Sequence, residues 1–326
     1  MSQFMRSTVA ALLASLALAW AWPSASAEPL RVAVLKFGTV NWELDVIRHH
    51  GLDRQEGIEL EVIELASTQA TKVALQAESA DLIVADWLWV SRTRRRGADF
   101  VYVPYSSAVG AVMVPPESKA RTLADLSGKK IGVAGGPLDK SWLIVKAYAR
   151  ESANIDLAQA TEQAFGAPPL LAKKAEQREL AAVLNYWPYC ARLEALGFRT
   201  LIGVTEAAAG LGTQGQVAMI GYVFRDAWAK RNAAAINGFL RATRRAREIL
   251  ATSDAEWQRI KPLTMAEDEA TLIALRRRYR EGIPQASPEA LQANTERLFA
   301  LLAKAGGQAL TGPMRELAPG TFWKAE

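Results

Sequence analysis

The sequence predicts an α/β protein with room for two domains. Half of its 326 residues are hydrophobic and 22% are charged, a balance typical of a globular protein that buries a sizeable core. Short apolar runs alternate along the chain with segments whose apolar residues recur at helical spacing. Strands that alternate with helices in this way form parallel sheets.

Three predicted strands with helices between them open the chain after residue 27. They are Leu30–Leu35, Ile58–Leu65 and Asp81–Ala85, and the first helix runs from about Trp42 to His50. Ligands of parallel sheets bind beyond the carboxyl ends of the strands. We therefore expect the segments after these strands to face one side of the sheet; they are Phe37–Asn41, Ser67–Gln69 and Asp86-Trp87.

A further strand leads through a tight glycine turn into a helix. The predicted strand is Ile131–Ala134, and the helix is expected to start at Leu138. The first backbone N–H groups of a helix have no partners within it and lie at the positive end of its dipole. We therefore expect the backbone at Gly136–Asp139 to hold an anionic or strongly polar ligand group. The stretch is not a nucleotide-binding P-loop, because Asp139 stands where that motif has glycine.

Residues 1–27 are predicted to be a secretory signal peptide. Arg6 precedes the apolar run Val9–Trp22, and the segment ends in the small residues that a signal peptidase cleaves after, Ala25-Ser26-Ala27. The run is short for a membrane span, which needs about 20 apolar residues. Export argues against a nucleic-acid partner, although the formal net charge is +5.

Residues that carry catalysis or bind metals are sparse. Cys190 is the only cysteine, which excludes an intramolecular disulfide, and we expect it to be a small packed residue. The only histidines, His49 and His50, are adjacent and point about 100° apart on a helix, so they cannot bind one metal ion together. The sequence therefore predicts that the protein is not an enzyme and uses no cofactor.

Two further patterns bear on cofactors and metals. Gly210–Gly215 has the G-x-G-x-x-G spacing of a dinucleotide site, but an alanine-rich segment precedes it and a strand-like segment follows, so we expect a loop. A metal site built only from carboxylates, such as Asp86, Asp139 and Glu64, remains an alternative because hard cations accept all-oxygen ligands.

Several stretches resemble one known family. Val114–Gly136 (VPPESKARTLADLSGKKIGVAGG) resembles the entry into the second domain of type II periplasmic solute-binding proteins. His49–Leu65 and Ala74–Asp86 resemble the nitrate/taurine/sulfonate and thiamine-pyrimidine-precursor branch of these proteins. Glu179–Phe198 is similar to that branch's strand that ends in an aromatic–proline pair before a helix. The order and spacing of the motifs extend over most of the chain after residue 27.

The resemblance implies a two-lobed type II periplasmic binding protein fold, with a ligand cleft between two α/β lobes joined by two crossovers. It divides the chain into residues 1–27 (signal peptide), 28–109 (first part of lobe 1), 110–221 (lobe 2) and 222–326 (return to lobe 1 and C-terminal helices). Gly110, near the first crossover, is a candidate hinge. The C-terminal helices are expected to pack back onto the first lobe.

The function implied by the resemblance is that of the periplasmic substrate-binding component of an ABC transporter. Such a protein captures a small organic solute between its lobes and delivers it to an inner-membrane permease. Its expected partners are the small-molecule ligand and the permease and ATPase complex, and the protein itself is expected to be a monomer. Alternatives are a periplasmic accessory, sensor or metal-complex-binding protein on the same fold, or a pyrimidine-synthesis-like enzyme, which would need histidines or a cysteine cluster in its site.

The predicted cleft is aromatic and has no arginine at a strand end. Aromatic walls suit a flat heterocycle or a cationic group, and a small oxyanion would lack a bidentate arginine clamp. We therefore expect an organic ligand with an aromatic or cationic part, and Tyr186 is one of the aromatic residues at the strand ends. The predicted ligand-binding residues are Phe37, Asn41, Trp42, Thr68, Gln69, Asp86, Trp87, Ser106, Gly136, Asp139, Lys140, Asn185, Trp187 and Tyr189.

Overall fold

The computed structural model describes residues 29–311 and 313–324, and its first sheet has five strands. These are β1 (Leu30–Leu35), β2 (Leu60–Leu65), β3 (Leu82–Ala85), β4 (Phe100–Ser106) and β10 (Ile220–Arg225). Their order across the sheet is β2-β1-β3-β10-β4. Strands β1, β2 and β3 are parallel, whereas β10 is antiparallel to both of its neighbours.

The second sheet repeats this plan with the next five strands of the chain. These are β5 (Ala111–Val114), β6 (Lys130–Ala134), β7 (Glu162–Gly166), β8 (Ala182–Asn185) and β9 (Arg199–Gly203). Their order is β7-β6-β8-β5-β9, and β5 is the antiparallel strand. The chain therefore passes from the first sheet to the second between β4 and β5, and returns between β9 and β10.

Helices cover both sheets. Those of the first part of the chain are α1 (Val40–His49), α2 (Leu52–Gln55), α3 (Thr68–Gln76) and α4 (Trp87–Arg94). The second sheet carries α5 (Lys140–Ala153), α6 (Leu157–Ala160), α7 (Pro168–Glu176), α8 (Trp187–Ala195) and α9 (Val204–Gly210), with a 3₁₀ turn at Leu123–Leu126. The C-terminal part forms α10 (Asp226–Arg231), α11 (Ala233–Thr252), α12 (Asp254–Arg259), α13 (Lys261–Thr264), α14 (Glu269–Glu281) and α15 (Pro288–Thr311).

We call the first sheet with α1–α4 and α10–α14 the first lobe, and the second sheet with α5–α9 the second lobe. Helix α8 of the second lobe packs along α14 of the first. The carboxylate of Glu194 on α8 forms ion pairs with Arg277 (2.6 Å) and Arg278 (2.8 Å) on α14. The lobes are therefore joined by a helix contact in addition to the two chain crossovers.

The last helix, α15, touches both lobes. It packs against α5 of the second lobe, and the ring of Phe299 lies 6.3 Å from that of Trp87 in the first lobe. Helix α15 therefore packs on the second lobe as well as on the first lobe, where the C-terminal helices were expected to pack. Its apolar face is shared between the lobes, because Leu298, Phe299 and Leu302 belong to one buried cluster with residues of both.

The predicted strands and helices are present with small differences in their bounds. Helix α5 begins at Lys140 and not at Leu138, because the Asp139 side chain caps the helix by accepting from Ser141 N–H (2.8 Å). Strands β7 and β9 were not predicted from the sequence. Along the described residues, no helix combines the length and apolar content that crossing a bilayer requires. The predicted signal peptide lies outside the described residues, and the division of the chain at 109/110 and 221/222 remains a prediction.

Candidate functional site

A cleft with a volume of about 560 Å³ lies between the two lobes. It opens where strands β1, β3, β6 and β8 end, and its lining includes Leu35, Asp86, Gly135 and Tyr186, which stand at those ends. This is the edge at which parallel α/β sheets bind ligands. The volume falls within the range of about 300–1,000 Å³ found for small-molecule sites.

Most of the cleft wall is apolar, and both lobes contribute to it. The first lobe supplies a floor of aliphatic and aromatic side chains, and the second lobe supplies the facing wall. The apolar and aromatic lining residues include Leu35, Phe37, Val40, Val84, Tyr105, Met219 and Ile220 on one side, and Pro137, Leu138, Tyr186, Trp187, Pro188 and Tyr189 on the other. A ligand in this cleft would touch apolar surface on two sides.

Five helices begin at the cleft, namely α1, α3, α4, α5 and α8, so their positive ends point towards it. Two of these ends already carry a carboxylate. Asp86 accepts a hydrogen bond from Trp89 N–H (2.8 Å) at the start of α4, and Asp139 accepts one from Ser141 N–H (2.8 Å) at the start of α5. At the start of α5, the protein's own carboxylate therefore takes the Ser141 N–H, and the expectation that the backbone at Gly136–Asp139 holds an anionic group remains a prediction.

Asp139 is a central polar group of the cleft wall. The hydroxyl of Tyr186 donates to Asp139 Oδ2 (3.1 Å). Burial raises the pKa of Asp139, and the negative charge of Asp86 adds to this rise, whereas Lys140 and the hydrogen bonds from Ser141 and Tyr186 lower it. Burial and the charge of Asp139 likewise raise the pKa of Tyr186, so its hydroxyl keeps the proton that it donates. The two aspartates are therefore close enough to act on one another.

The cleft lining contains two lysines and no arginine. Lys72 Nζ lies 5.2 Å from the centre of the Trp89 ring, and Lys140 follows the capping residue Asp139. In the described part of the chain, neither lysine forms an ion pair with Asp86 or Asp139. The lining thus carries two negative and two positive side chains, and the charge of Lys140 acts on Asp139 without a direct ion pair.

Eight of the fourteen predicted ligand-binding residues line the cleft. They are Phe37, Thr68, Asp86, Gly136, Asp139, Lys140, Trp187 and Tyr189. A Cβ atom built on Gly136 meets nothing within 4 Å, which shows that this residue faces open space. That these residues bind ligand remains a prediction.

Three of the other predicted residues are polar side chains that bond to the backbone instead of facing the cleft. The Asn41 amide donates to the Leu35 carbonyl (2.9 Å). Ser106 Oγ accepts from Ala108 N–H (3.0 Å), and the Asn185 amide donates to the Pro168 carbonyl (2.9 Å). These side chains hold the loops that shape the cleft.

The last three predicted residues lie elsewhere. Gln69 is exposed on the surface of α3. Trp42 and Trp87 are buried, with 4% and 0% of their surface exposed, because the first turns of α1 and α4 point these rings into the core. The sequence correctly predicted that the two tryptophans follow strand ends, but it did not predict the direction in which their side chains point.

Several cleft residues were not predicted. Lys72 lies one helical turn after Thr68, so the i, i+4 spacing on α3 could have indicated it. Tyr105 lies in β4, Ile220 begins β10, and Met219 precedes it. No sequence signal shows that these two strands reach the floor of the cleft. Leu138, which is 61% exposed, projects from the turn before α5.

The residues considered for catalysis lie apart from the cleft. His50 Nε2 lies 3.3 Å from Glu256 on the first lobe. The thiol of Cys190 is buried and donates to the Asn185 carbonyl (3.2 Å), and burial raises its pKa to about 11. Within residues 29–311 and 313–324, no three His, Cys, Asp or Glu side chains come together as potential metal ligands.

A family model described as NMT1/THI5 like matches residues 46–256. The chain belongs to this family. The matched segment is more than half of the sequence and includes the first crossover, the second lobe and the return into α11. This match confirms the family resemblance that the order and spacing of the motifs indicated.

Solved structures share the fold of this NMT1/THI5-like chain. The alkanesulfonate-binding protein SsuA from Xanthomonas axonopodis pv. citri, bound to MOPS, has a TM-score of 0.70 at 19% identity, over 93% of this chain and 100% of that one. The periplasmic aliphatic sulphonate binding protein SsuA from Escherichia coli has a TM-score of 0.70 at 21% identity, over 92% and 94%.

A more distant structure has the same architecture. The Candida albicans CA3427 gene product, described as having the generic periplasmic binding protein structural fold, has a TM-score of 0.57 at 10% identity, over 91% of this chain and 98% of that one. The predicted two-lobed type II periplasmic binding protein fold is thus confirmed. No curated protein sequence matches this chain.

Proposed function

We propose that the protein is the periplasmic substrate-binding component of an ABC transporter. It captures a small organic solute in the cleft and delivers it to a permease and ATPase complex in the inner membrane. The observation that carries the proposal is the cleft itself, whose apolar and aromatic walls come from both lobes. Two of the structural neighbours are named as sulfonate-binding proteins, which supports a binding role over an enzymatic one.

Capture follows from the position of the cleft between the lobes. A ligand shifts the balance between open and closed forms only as far as it binds the closed form more tightly. Contacts from Phe37 on the first lobe and from Trp187 and Tyr189 on the second can form together only when the lobes are close. Ligand binding therefore stabilises the closed form, which is the form that the permease would recognise.

Location and assembly follow from the same proposal. A soluble capture protein of this kind works in the periplasm, which agrees with the signal peptide predicted for residues 1–27. It acts as a monomer, because the ligand site is complete within one chain. Its partner surface is the pair of lobe faces at the mouth of the cleft.

Uptake and scattering measurements together test this function. Cells that lack the gene are expected to lose uptake of one labelled organic solute and to recover it with the wild-type gene. The same solute is expected to reduce the radius of gyration of the purified protein in small-angle X-ray scattering, because the lobes close. A protein that binds no solute and does not change shape with any of them would contradict the proposal.

A further inference from the structure

The cleft disfavours small oxyanions at the positions where its helices would otherwise attract them. A helix N-terminus binds an anion through its free N–H groups and its dipole. At α4 and α5 these places are taken by the carboxylates of Asp86 and Asp139, each of which accepts an N–H hydrogen bond at 2.8 Å. An incoming sulfonate, nitrate or carboxylate group would meet two negative charges there.

The same part of the cleft is favourable to a positive charge. Burial raises the pKa of Asp139 and the negative charge of Asp86 adds to this rise, whereas the charge of Lys140 lowers it. Arg92 on α4 interacts electrostatically with Asp86, but it does not line the cleft, and no other arginine does. A cation between two carboxylates of this kind relieves their repulsion and gains charge-assisted hydrogen bonds. Lys140, the nearest lysine in sequence, forms no ion pair with either carboxylate among the described residues.

The walls around the two aspartates are aromatic. Tyr186 donates its hydroxyl to Asp139, and Phe37, Trp187 and Tyr189 line the same cavity. A cationic nitrogen near such rings is attracted by their negative faces, and the apolar part of a ligand gains from burial against them. The aromatic cavity is an observation independent of the aspartates, and both favour one kind of ligand.

We propose, on the basis of the function proposed above, that the ligand of this cleft is a small organic molecule with one cationic nitrogen, which binds at Asp86 and Asp139 against the aromatic walls. The apolar part of the molecule fills the rest of the 560 Å³ cavity. Lys72 and Lys140 balance the two aspartates, so the lining as a whole is neutral and accepts a monocation better than a polycation. This specificity differs from the sulfonates named for the structural neighbours.

Matched probes and variants test the ligand class. The probes are a panel of monocationic amines and quaternary ammonium compounds that includes phenethylamine and choline, neutral analogues such as 2-phenylethanol, and oxyanions such as benzenesulfonate and nitrate. Asp86→Asn and Asp139→Asn keep a side chain that can cap a helix while removing the charge. Asp268→Asn is the control, because Asp268 also caps a helix through Thr271 N–H (2.7 Å) but lies outside the cleft.

At least one cationic probe is expected to bind to wild-type protein by calorimetry. Each cleft variant is expected to weaken that binding by about tenfold or more, the size of a charge-assisted hydrogen bond, whereas the control variant leaves it unchanged. An oxyanion that binds the protein, and binds Asp86→Asn or Asp139→Asn more tightly than the wild type, would overturn the proposed ligand class. The proposed binding function would then still stand. Binding of no cationic probe at millimolar concentration would also overturn it. No binding and no lobe closure with any probe would contradict the binding function itself.

Discussion

The indole ring of Trp187 in the second lobe packs edge-on against the indole ring of Trp42 in the first lobe. Their centroids lie 5.8 Å apart and their planes are perpendicular. Trp187 also packs on Tyr279 of α14, at 6.3 Å, and only 6% of its surface is exposed. Because Trp187 lines the cleft as well, one side chain borders the ligand space and joins the two lobes.

Trp187→Ala is expected to lose both ligand binding and stability. It removes an aromatic wall of the cleft and leaves a cavity beside Trp42 and Tyr279. Substitutions of this kind in a core cost about 3 kcal/mol or more in the free energy of unfolding. The measurements are chemical denaturation and the affinity for any solute that raises the melting temperature of the wild type.

Trp228→Ala is the matched control for this prediction. Trp228 packs on Phe224 in the first lobe (6.5 Å) and does not line the cleft. It is expected to lower stability without changing affinity. Unchanged affinity in Trp187→Ala would remove Trp187 from the ligand site.

Gly136→Val is expected to abolish binding while the protein still folds. A Cβ atom on Gly136 meets nothing within 4 Å, so the valine side chain would extend into the cleft and not into the core. The melting temperature without ligand should stay close to that of the wild type, and the ligand-induced shift should disappear. Gly203→Val, which lies outside the cleft, should retain the shift. A Gly136→Val protein that binds normally would show that the turn before α5 does not touch ligand.

Gly110 is fixed by a close backbone approach, which limits its use as a hinge. A Cβ atom on Gly110 would lie 1.6 Å from the carbonyl oxygen of Asn185. Gly110→Ala is therefore expected to lower the melting temperature clearly, whereas Gly203→Ala, whose Cβ has only ordinary contacts, should not. Similar melting temperatures for the two variants would show that β5 can move away from β8 at little cost.

Glu43 is a buried carboxyl group beneath the floor of the cleft. It is 1% exposed, accepts a hydrogen bond from the Tyr279 hydroxyl, and lies 3.9 Å from Arg247. Burial raises its pKa to about 7, although Arg247 and the tyrosine hydroxyls lower it in part. The folded protein thus holds a proton on Glu43 more tightly than the unfolded chain, where the pKa is about 4.5.

This pKa shift gives stability a defined dependence on pH. Because the folded state binds the proton more tightly, the contribution of Glu43 is fully present below pH 4.5 and is lost as the pH rises towards 7. Glu43→Gln is expected to reduce the change in melting temperature between pH 4.5 and pH 7 by about 2 °C or more. Glu59→Gln, at an exposed position, serves as the control. An unchanged pH profile in Glu43→Gln would show that the carboxyl group is ionised in the folded protein throughout the interval.

The sequence predicted the alternation of strands and helices because that pattern is local. The apolar run at Leu30–Leu35 is a strand with the predicted bounds, and those at Asp81–Ala85 and Ile131–Ala134 differ from the observed strands by one residue at their starts. Strands β7 and β9 were missed because each has partly exposed residues and little apolar periodicity. Their place in the sheet comes from pairing with β6 and β5.

The cleft was predictable where it depends on strand ends and unpredictable where it depends on the direction of side chains. Trp87 and Trp187 occupy equivalent positions at the start of a helix, yet Trp87 is buried against α15 and Trp187 lines the cleft. The difference arises from a helix near the end of the chain, far away in sequence. The helix-capping bond of Asp139 was not predicted either, because it depends on its carboxylate turning back onto Ser141 N–H.

A thermal-shift screen of the wild type and of Gly136→Val against small organic solutes tests the central claim most directly. A ligand that binds only the folded state stabilises it by about 2.7 kcal/mol at a hundredfold excess over its dissociation constant. We expect at least one solute to raise the melting temperature of the wild type and to leave that of Gly136→Val unchanged. A screen without any shift, or a shift of equal size in both proteins, would contradict capture of a solute between the two lobes.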